Sequence, residues 1–117
     1  MQDVRIGWGL STPTVTIANT ETDSTMLTVK GWRSGRIYVP AAITAAYLSV
    51  LAVRDVGDTP GACLDSDATQ FRIPTTGNLE AGKNYPIDPK CFEGVGQLQF
   101  VSSVAQGGDR VFKIGLT

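Results

Sequence analysis

The sequence contains no histidine, the side chain that most often serves as a general base or a metal ligand. A Ser-His-Asp or Cys-His catalytic arrangement therefore cannot be assembled within one chain. Only two cysteines are present, too few to complete a four-ligand zinc site without other residue types. From these absences we expect a protein that is not an enzyme and that has neither a metal site nor a cofactor.

Charge of either sign is also scarce. Charged residues make up 18% of the 117 residues, and the formal net charge is −1. Proteins that bind nucleic acid through charge are normally basic, so we expect no nucleic-acid partner. The longest uncharged run, residues 37–53, is interrupted by Pro40, Thr44 and Ser49 and is too weakly apolar to span a bilayer. The N-terminus has no basic stretch followed by an apolar one, so we expect no secretory signal and no membrane partner.

The two cysteines, Cys63 and Cys91, allow two interpretations. A disulfide between them would close a loop of 29 residues, which corresponds to a stabilisation of about 3 kcal/mol if the bond is unstrained. Alternatively, the two thiols are separate and buried and behave as small hydrophobic side chains. We favour the separate thiols, because nothing else in the chain indicates secretion.

Apolar and polar residues alternate along most of the chain, which is the pattern of half-buried strands. Thirteen glycines and six prolines punctuate the alternation, and they favour tight turns. Gly107 and Gly108 would permit the last hairpin. The pattern predicts strands at 14–18, 26–30, 36–39, 47–53, 71–73, 97–101 and 110–116, separated by turns that include 57–61, 75–78 and 106–109.

Short strands at this spacing predict an all-β fold, an antiparallel β-sandwich of the jelly-roll or galactose-binding-like type. An immunoglobulin-like sandwich is the alternative. One domain would span residues 1–117, with residues 1–12 as a candidate extended arm. A single helical turn is expected at 88–92, with Asp88 as the N-cap and Pro89 in the first helical position, and another at 41–46. The core candidates are Tyr47, Leu48, Val50, Phe100, Val111, Phe112 and Ile114.

Four aspartates, Asp55, Asp58, Asp65 and Asp67, lie close together in the sequence. Their hard oxygen ligands could bind calcium, and Asp65-Ser66-Asp67 is similar to the start of a calcium loop. The later ligands and the fixed glycine of such a loop are missing. The pattern therefore favours a solvated loop.

Several aromatic residues with polar neighbours could form a sugar-stacking platform, as in carbohydrate-binding modules. Tyr47 lies in the most apolar predicted strand, so we expect it to be buried, whereas Trp32 at a strand end should be partly exposed. Gly7-Trp8-Gly9 lacks the third glycine of a dinucleotide-binding motif and indicates a turn beside a packed ring. The aromatic candidates are Trp8, Trp32, Tyr38, Tyr47 and Tyr85.

Four segments of residues 31–117 follow one another in a characteristic order. These are Ser34-Gly35-Arg36-Ile37 with Val39-Pro40-Ala41-Ala42-Ile43-Thr44-Ala45-Ala46, then Leu64-Asp65-Ser66-Asp67-Ala68-Thr69, then Tyr85-Pro86-Ile87-Asp88-Pro89 leading into Phe92-Glu93-Gly94-Val95, and finally Ala105-Gln106-Gly107-Gly108-Asp109-Arg110. On the order of these segments rather than on one motif, residues 31–117 resemble small head proteins of tailed bacteriophages, of the decoration or cement type.

The resemblance implies a structural virion protein on the capsid surface, made in the host cytoplasm. It implies a homotrimer that binds the major capsid protein and stiffens the expanded shell. Trp32, Arg33, Arg36, Asp65 and Asp67 are the candidate interface residues. A carbohydrate-binding module, or another virion part such as a head-spike base or a tail component, remains the alternative.

Overall fold

The computed structural model describes residues 12–117, and it is built almost entirely from antiparallel strands. The candidate arm therefore lies outside the described residues except for Thr12, as does the predicted turn at Trp8. Within residues 12–117, nine strands and one short 3₁₀ helix, Pro89–Phe92, follow one another. The strands are β1 (Thr14–Ile17), β2 (Leu27–Thr28), β3 (Gly35–Tyr38), β4 (Leu48–Val53), β5 (Gly61–Ala62), β6 (Arg72–Ile73), β7 (Asn84–Ile87), β8 (Gln97–Ser102) and β9 (Arg110–Leu116).

The strands form two sheets. One has four strands in the order β1-β9-β3-β7, and the other has the order β2-β8-β4-β5, with β6 also paired to β4. Consecutive strands lie in alternate sheets except for β4, β5 and β6. Counting β5 and β6 as one interrupted strand gives eight strands in two sheets, which is the jelly-roll arrangement. The immunoglobulin-like alternative is wrong, because its first two strands share a sheet.

The core lies between the two sheets and follows from the alternation of each strand. In β9, Phe112, Ile114 and Leu116 are buried, while Val111 is 46% exposed on the opposite face. Val111 was expected in the core, and the register of β9 corrects that expectation. Leu48, Val50, Phe100, Phe112 and Ile114 are buried as predicted.

Tyr47 departs from its predicted burial. It lies just before β4 and is only half-buried, with the guanidinium carbon of Arg72 3.7 Å from the centre of its ring. This cation–π contact needs an open ring face. The strand that follows Tyr47 is apolar because Leu48 and Val50 point into the core. Tyr47 precedes Leu48 by one residue, so its side chain points to the opposite, outer face of the sheet.

The predicted helical turn at 88–92 is confirmed as the 3₁₀ helix. The Asp88 carboxylate accepts a hydrogen bond from the Lys90 amide at 2.9 Å, and Pro89 follows it. The helix expected at 41–46 is absent, because its polar groups bond to other segments instead. The Thr44 amide donates to the side chain of Gln106 at 2.9 Å, and the Ala46 carbonyl accepts from the Leu79 amide at 2.8 Å.

Both cysteines are free thiols, Cys91 buried and Cys63 half-buried. They are not separate, however, because their side chains are close enough to hydrogen-bond to each other. Burial raises the pKa of the Cys91 thiol, and the neighbouring Cys63 and Asp88 raise it further. Burial also raises the pKa of Cys63, although its hydrogen bond with Cys91 lowers it. Both thiols are therefore held in their protonated form.

Candidate interaction surface

The outer face of the four-stranded sheet carries exposed apolar side chains. Tyr38 of β3 is 44% exposed and Val111 of β9 is 46% exposed. The opposite faces of the same strands supply the buried Ile37, Phe112 and Ile114. Strand alternation therefore places these two large side chains toward solvent, which makes the outer face the first candidate for an interaction surface.

Tyr38 and Val111 line a groove of about 570 Å³, here called the outer-face groove. Thr12, Pro40, Lys113 and Gly115 also contribute to its walls and floor. Gly115 lies opposite Arg36 in the register of β9 and β3, and it has no side chain to fill the space above the sheet. A second, smaller depression continues past Gly115 and Tyr38 toward Ser34 and Thr117.

Another groove, of about 490 Å³, lies between the β5–β6 segment and the 3₁₀ helix. Asp65, Arg72, Pro86, Asp88 and Cys91 are among its lining residues. Its charged groups have structural partners nearby. Asp88 caps the 3₁₀ helix, and the Arg72 guanidinium donates to the Pro74 carbonyl at 3.0 Å.

The candidate interface residues divide between the two sheets. Trp32, Arg33 and Arg36 lie in and just before β3, in the four-stranded sheet, whereas Asp65 and Asp67 lie in the loop between β5 and β6. Trp32 is half-buried and packs against the core. Arg33 and Arg36 are exposed, and the Arg36 guanidinium donates to Asn84 Oδ1 at 2.9 Å.

The aspartate loop is organised by its own backbone. The Asp65 carboxylate accepts hydrogen bonds from the amides of Asp67 at 2.8 Å and Thr69 at 3.1 Å. This is an Asx-type arrangement that shapes a turn. Ala68 has a positive φ of 61° at the turn. In residues 12–117, no three acidic or cysteine side chains are grouped so that they could hold a metal ion.

Gln106 is the most completely buried polar side chain, at 2% exposure. Its side-chain nitrogen donates to Ser102 Oγ at 3.0 Å and to the Thr44 carbonyl at 3.2 Å. Its oxygen accepts from the Thr44 amide at 2.9 Å and from the Arg110 guanidinium at 3.3 Å. Every hydrogen-bonding group of the Gln106 amide thus has a partner, and the cluster is structural.

Sequence reasoning missed the outer-face groove. The signal was the phase of β9, because Phe112, Ile114 and Leu116 on one face leave Val111, Lys113 and Gly115 on the other. What the sequence alone did not show is that β3 lies beside β9 and adds Tyr38 to the same face.

The described part of the chain contains no helix with the length and apolar character to cross a membrane.

The fold and its open face define a small jelly-roll protein with an apolar groove on one sheet. The chain is similar to the solved structure of the SPBc2 prophage-derived protein YomS, with a TM-score of 0.54 and 17% sequence identity. The similarity covers 97% of this chain and 97% of YomS, and at this identity it shows the fold alone. No protein-family model matches the sequence, and a search of curated proteins finds no significant match.

Proposed function

We propose that this chain is a structural virion protein of a tailed bacteriophage or prophage, and that it decorates the capsid by binding the major capsid protein. The observation that carries the proposal is the similarity in fold to a prophage-derived protein over 97% of both chains. The order of the sequence segments within residues 31–117 resembles that of head decoration proteins, and this resemblance supports the same proposal.

The proposed role is non-catalytic. The carboxylates of the β5–β6 loop and of the 3₁₀ helix accept hydrogen bonds from nearby amides, so they contribute to shape. A decoration protein needs a rigid scaffold and an exposed contact surface. The buried core between two antiparallel sheets supplies the scaffold, which supports a structural role.

Arg33, Arg36 and the adjoining Trp32 are the proposed capsid contacts on the four-stranded sheet, and Asp67 is the proposed contact on the other. We further propose that three copies assemble at local threefold positions of the shell. Three simultaneous attachments raise the effective concentration of each contact, so modest individual contacts sum to firm binding.

The test uses expanded heads purified from the phage that encodes this chain, after deletion of the gene. Purified protein is first measured alone by analytical ultracentrifugation, where we expect three times the chain mass of 12.4 kDa. It is then mixed with the heads and sedimented. Saturable co-sedimentation supports the proposal, and a protein that stays in the supernatant at all concentrations refutes it.

Electron cryomicroscopy of the mixture separates decoration from the other virion roles. Density at local threefold positions over the whole shell is expected. Density confined to a head-spike base or to the tail would replace the decoration role with one of those parts.

A second candidate function is glycan binding by a carbohydrate-binding module. It is favoured by the exposed ring of Tyr38, which lies beside the Arg36–Asn84 pair on the outer face. Aromatic faces flanked by polar groups suit sugar stacking. Saturable binding on a glycan array that is lost in Tyr38→Ala, together with no binding to heads, would favour this function instead.

A further inference from the structure

The two cysteines lie where the edges of the two sheets come together. Cys63 directly follows β5, an edge strand of the five-stranded sheet, and Cys91 belongs to the 3₁₀ helix that follows β7, an edge strand of the four-stranded sheet. Their side chains are within hydrogen-bonding distance of each other. A covalent bond between the two sulfur atoms would therefore tie one sheet to the other.

The backbone around each thiol fixes its position. The Cys63 amide donates to the Val50 carbonyl at 3.0 Å, and the Cys63 carbonyl accepts from the Phe71 amide at 3.0 Å. The Cys91 amide donates to the Asp88 carbonyl at 2.9 Å. Val50 and Phe71 line the same groove as Cys91, so the backbone bonds of Cys63 place it beside Cys91. The fold thus brings the two thiols together in the reduced protein.

The two thiols differ in their access to solvent. Cys63 is half-buried, whereas Cys91 has an exposure of 0% and belongs to the core. A reagent in solution can therefore reach Cys63 but not Cys91. Thiol–disulfide exchange uses such a pair in two steps, in which an accessible thiol attacks the external disulfide and a neighbouring thiol then attacks the mixed disulfide.

We propose that Cys63 and Cys91 form a redox-responsive pair, which a small-molecule disulfide of the glutathione class converts into an intramolecular disulfide. The Cys63 sulfur loses its proton and attacks the reagent, forming a mixed disulfide and releasing one thiolate of the reagent. The Cys91 sulfur then loses its proton and attacks the Cys63 sulfur, which releases the second thiolate. The released thiolates take up the two protons. Two protein thiols are oxidised, and one reagent disulfide is reduced to two thiols.

The disulfide would act as a clamp, because it closes a loop of residues 63–91 that contains β6 and β7. Closing a loop restricts the unfolded chain and so favours the folded one. The cytoplasm keeps thiols reduced, whereas the medium outside a cell is oxidising. The pair should therefore stay open during synthesis and close after release from the cell. Only the relevance of this timing rests on the proposed virion function, since the chemistry belongs to the chain alone.

Oxidation of the purified protein tests the clamp. The protein is incubated with oxidised glutathione in mildly alkaline buffer, where more of each thiol is present as thiolate, and is then returned to neutral pH. We expect the intact mass to fall by two hydrogen atoms, with no bound glutathione and no cross-linked dimer. The melting temperature should rise by roughly 10 °C. Dithiothreitol should reverse both changes.

Single cysteine variants are the matched controls. After the same treatment, Cys91→Ala should retain glutathione on Cys63 as a mixed disulfide, because no second thiol can displace it. Cys63→Ala should take up no glutathione, because its remaining thiol is buried. Neither treated variant should gain melting temperature over its own untreated sample, and this comparison removes any effect of the substitution itself.

Several outcomes with the wild-type protein would overturn the proposal. These are two thiols that stay free, a reaction that stops at the glutathione adduct, a disulfide between chains, and an internal disulfide that leaves the melting temperature unchanged. Alkylation under denaturing conditions at the moment of lysis of the expressing cells should find both thiols free, and a disulfide already present there would also overturn it. No heads are used, so failure here is distinguishable from failure of the proposed decoration function.

Discussion

The amide of Gln106 connects three stretches of chain that are distant in sequence. It bonds to Thr44 in the segment before β4, to Ser102 at the end of β8 and to Arg110 at the start of β9. A buried polar group with all partners present stabilises one arrangement of its neighbours, whereas an unpaired one is costly. The packing of these segments therefore depends on this single side chain.

Gln106→Leu removes the acceptor of the partly buried Thr44 amide and leaves the buried Ser102 hydroxyl with fewer partners. We expect the free energy of unfolding to fall by about 1–3 kcal/mol, measured by urea denaturation. The control is Gln97→Leu, whose side chain makes one exposed hydrogen bond to Thr28 Oγ1 at 3.3 Å, and whose effect should stay within about 0.5 kcal/mol. Equal effects of the two substitutions would contradict this prediction.

The neighbouring thiols predict a loss of stability in alkali. Burial raises the pKa of Cys91 above that of an ordinary thiol, so in alkali the folded state keeps a proton that the unfolded state releases. Stability from this group is complete below the unfolded pKa and is lost as the pH rises above about 8.5. We expect the free energy of unfolding to fall more steeply between pH 8 and 10 in the wild type than in the Cys63→Ala/Cys91→Ala variant. Both are measured with reductant present, and parallel pH profiles would rule the linkage out.

At the scale of elements, the sequence predicted the strands well where one face is apolar. Arg110–Leu116 appears with its predicted bounds, and Leu48–Val53 differs from its prediction by one residue. Strand β7 was missed because Asn84 and Pro86 point outward and Pro86 cannot donate to a ladder. Pro86 is tolerated because β7 is an edge strand.

Gly96 marks the place where three strand ends meet. Its amide donates to the Val53 carbonyl at 2.8 Å, and its carbonyl accepts from the Val29 amide at 2.9 Å. A Cβ at this position would overlap the carbonyl of Arg54, whereas a Cβ on Gly61 would meet nothing within 4 Å. This close approach of backbone to backbone requires glycine.

We therefore expect Gly96→Ala to lower the free energy of unfolding by at least about 2 kcal/mol, because the backbone must move to make room. Gly61→Ala is the matched control, since both glycines avoid positive φ, and it should be neutral or slightly stabilising. Chemical denaturation of the two variants checks the difference. A Gly96→Ala variant as stable as Gly61→Ala would show that the strand ends can separate without cost.

The arginines of the β3 segment carry the electrostatic part of the proposed capsid contact. Reversing both charges in Arg33→Glu/Arg36→Glu should weaken binding to heads by about tenfold or more, because like charges across an interface repel. The effect should shrink as salt is added. Sedimentation with heads over a range of ionic strengths measures it.

Arg54→Glu is the control for that substitution. The Arg54 side chain is 82% exposed and pairs with its neighbour Asp55 at 3.0 Å. An exposed pair of this kind contributes little to stability. A loss of head binding as large in Arg54→Glu as in the double variant would mean that net charge, rather than the β3 segment, controls attachment.

At the scale of the whole molecule, the sheets join parts of the chain that sequence patterns treat separately. β1 pairs with β9, and β3 lies between β9 and β7. Alternation within each strand predicts which side chains face inward, but it contains no information about which strand lies beside which. The sandwich could therefore be predicted from the sequence, whereas the outer-face groove, which needs Thr12, Tyr38 and Val111 together, could not.

The candidate interface residues also show the difference between what sequence patterns predict and what strand pairing determines. Trp32, Arg33 and Arg36 are neighbours in sequence and remain together in the four-stranded sheet. Asp65 and Asp67 lie in the loop between β5 and β6, and the pairing of these strands with β4 places that loop beside the other sheet. The three β3-segment residues lie together because they are close in sequence. That the two aspartates lie apart from them follows only from the pairing of the strands in the folded chain.

A rigid sandwich that binds the assembled shell, and not its dissociated subunits, must stabilise the shell by mass action. At a free concentration 100 times the dissociation constant, each site contributes about 2.7 kcal/mol. Heads saturated with this protein should therefore disrupt at a higher temperature in differential scanning calorimetry than heads from the deletion strain. The rise should follow the concentration of added protein and should be smaller with the Arg33→Glu/Arg36→Glu variant at the same concentration. Heads that bind the protein but disrupt at an unchanged temperature would show that it attaches without reinforcing the shell.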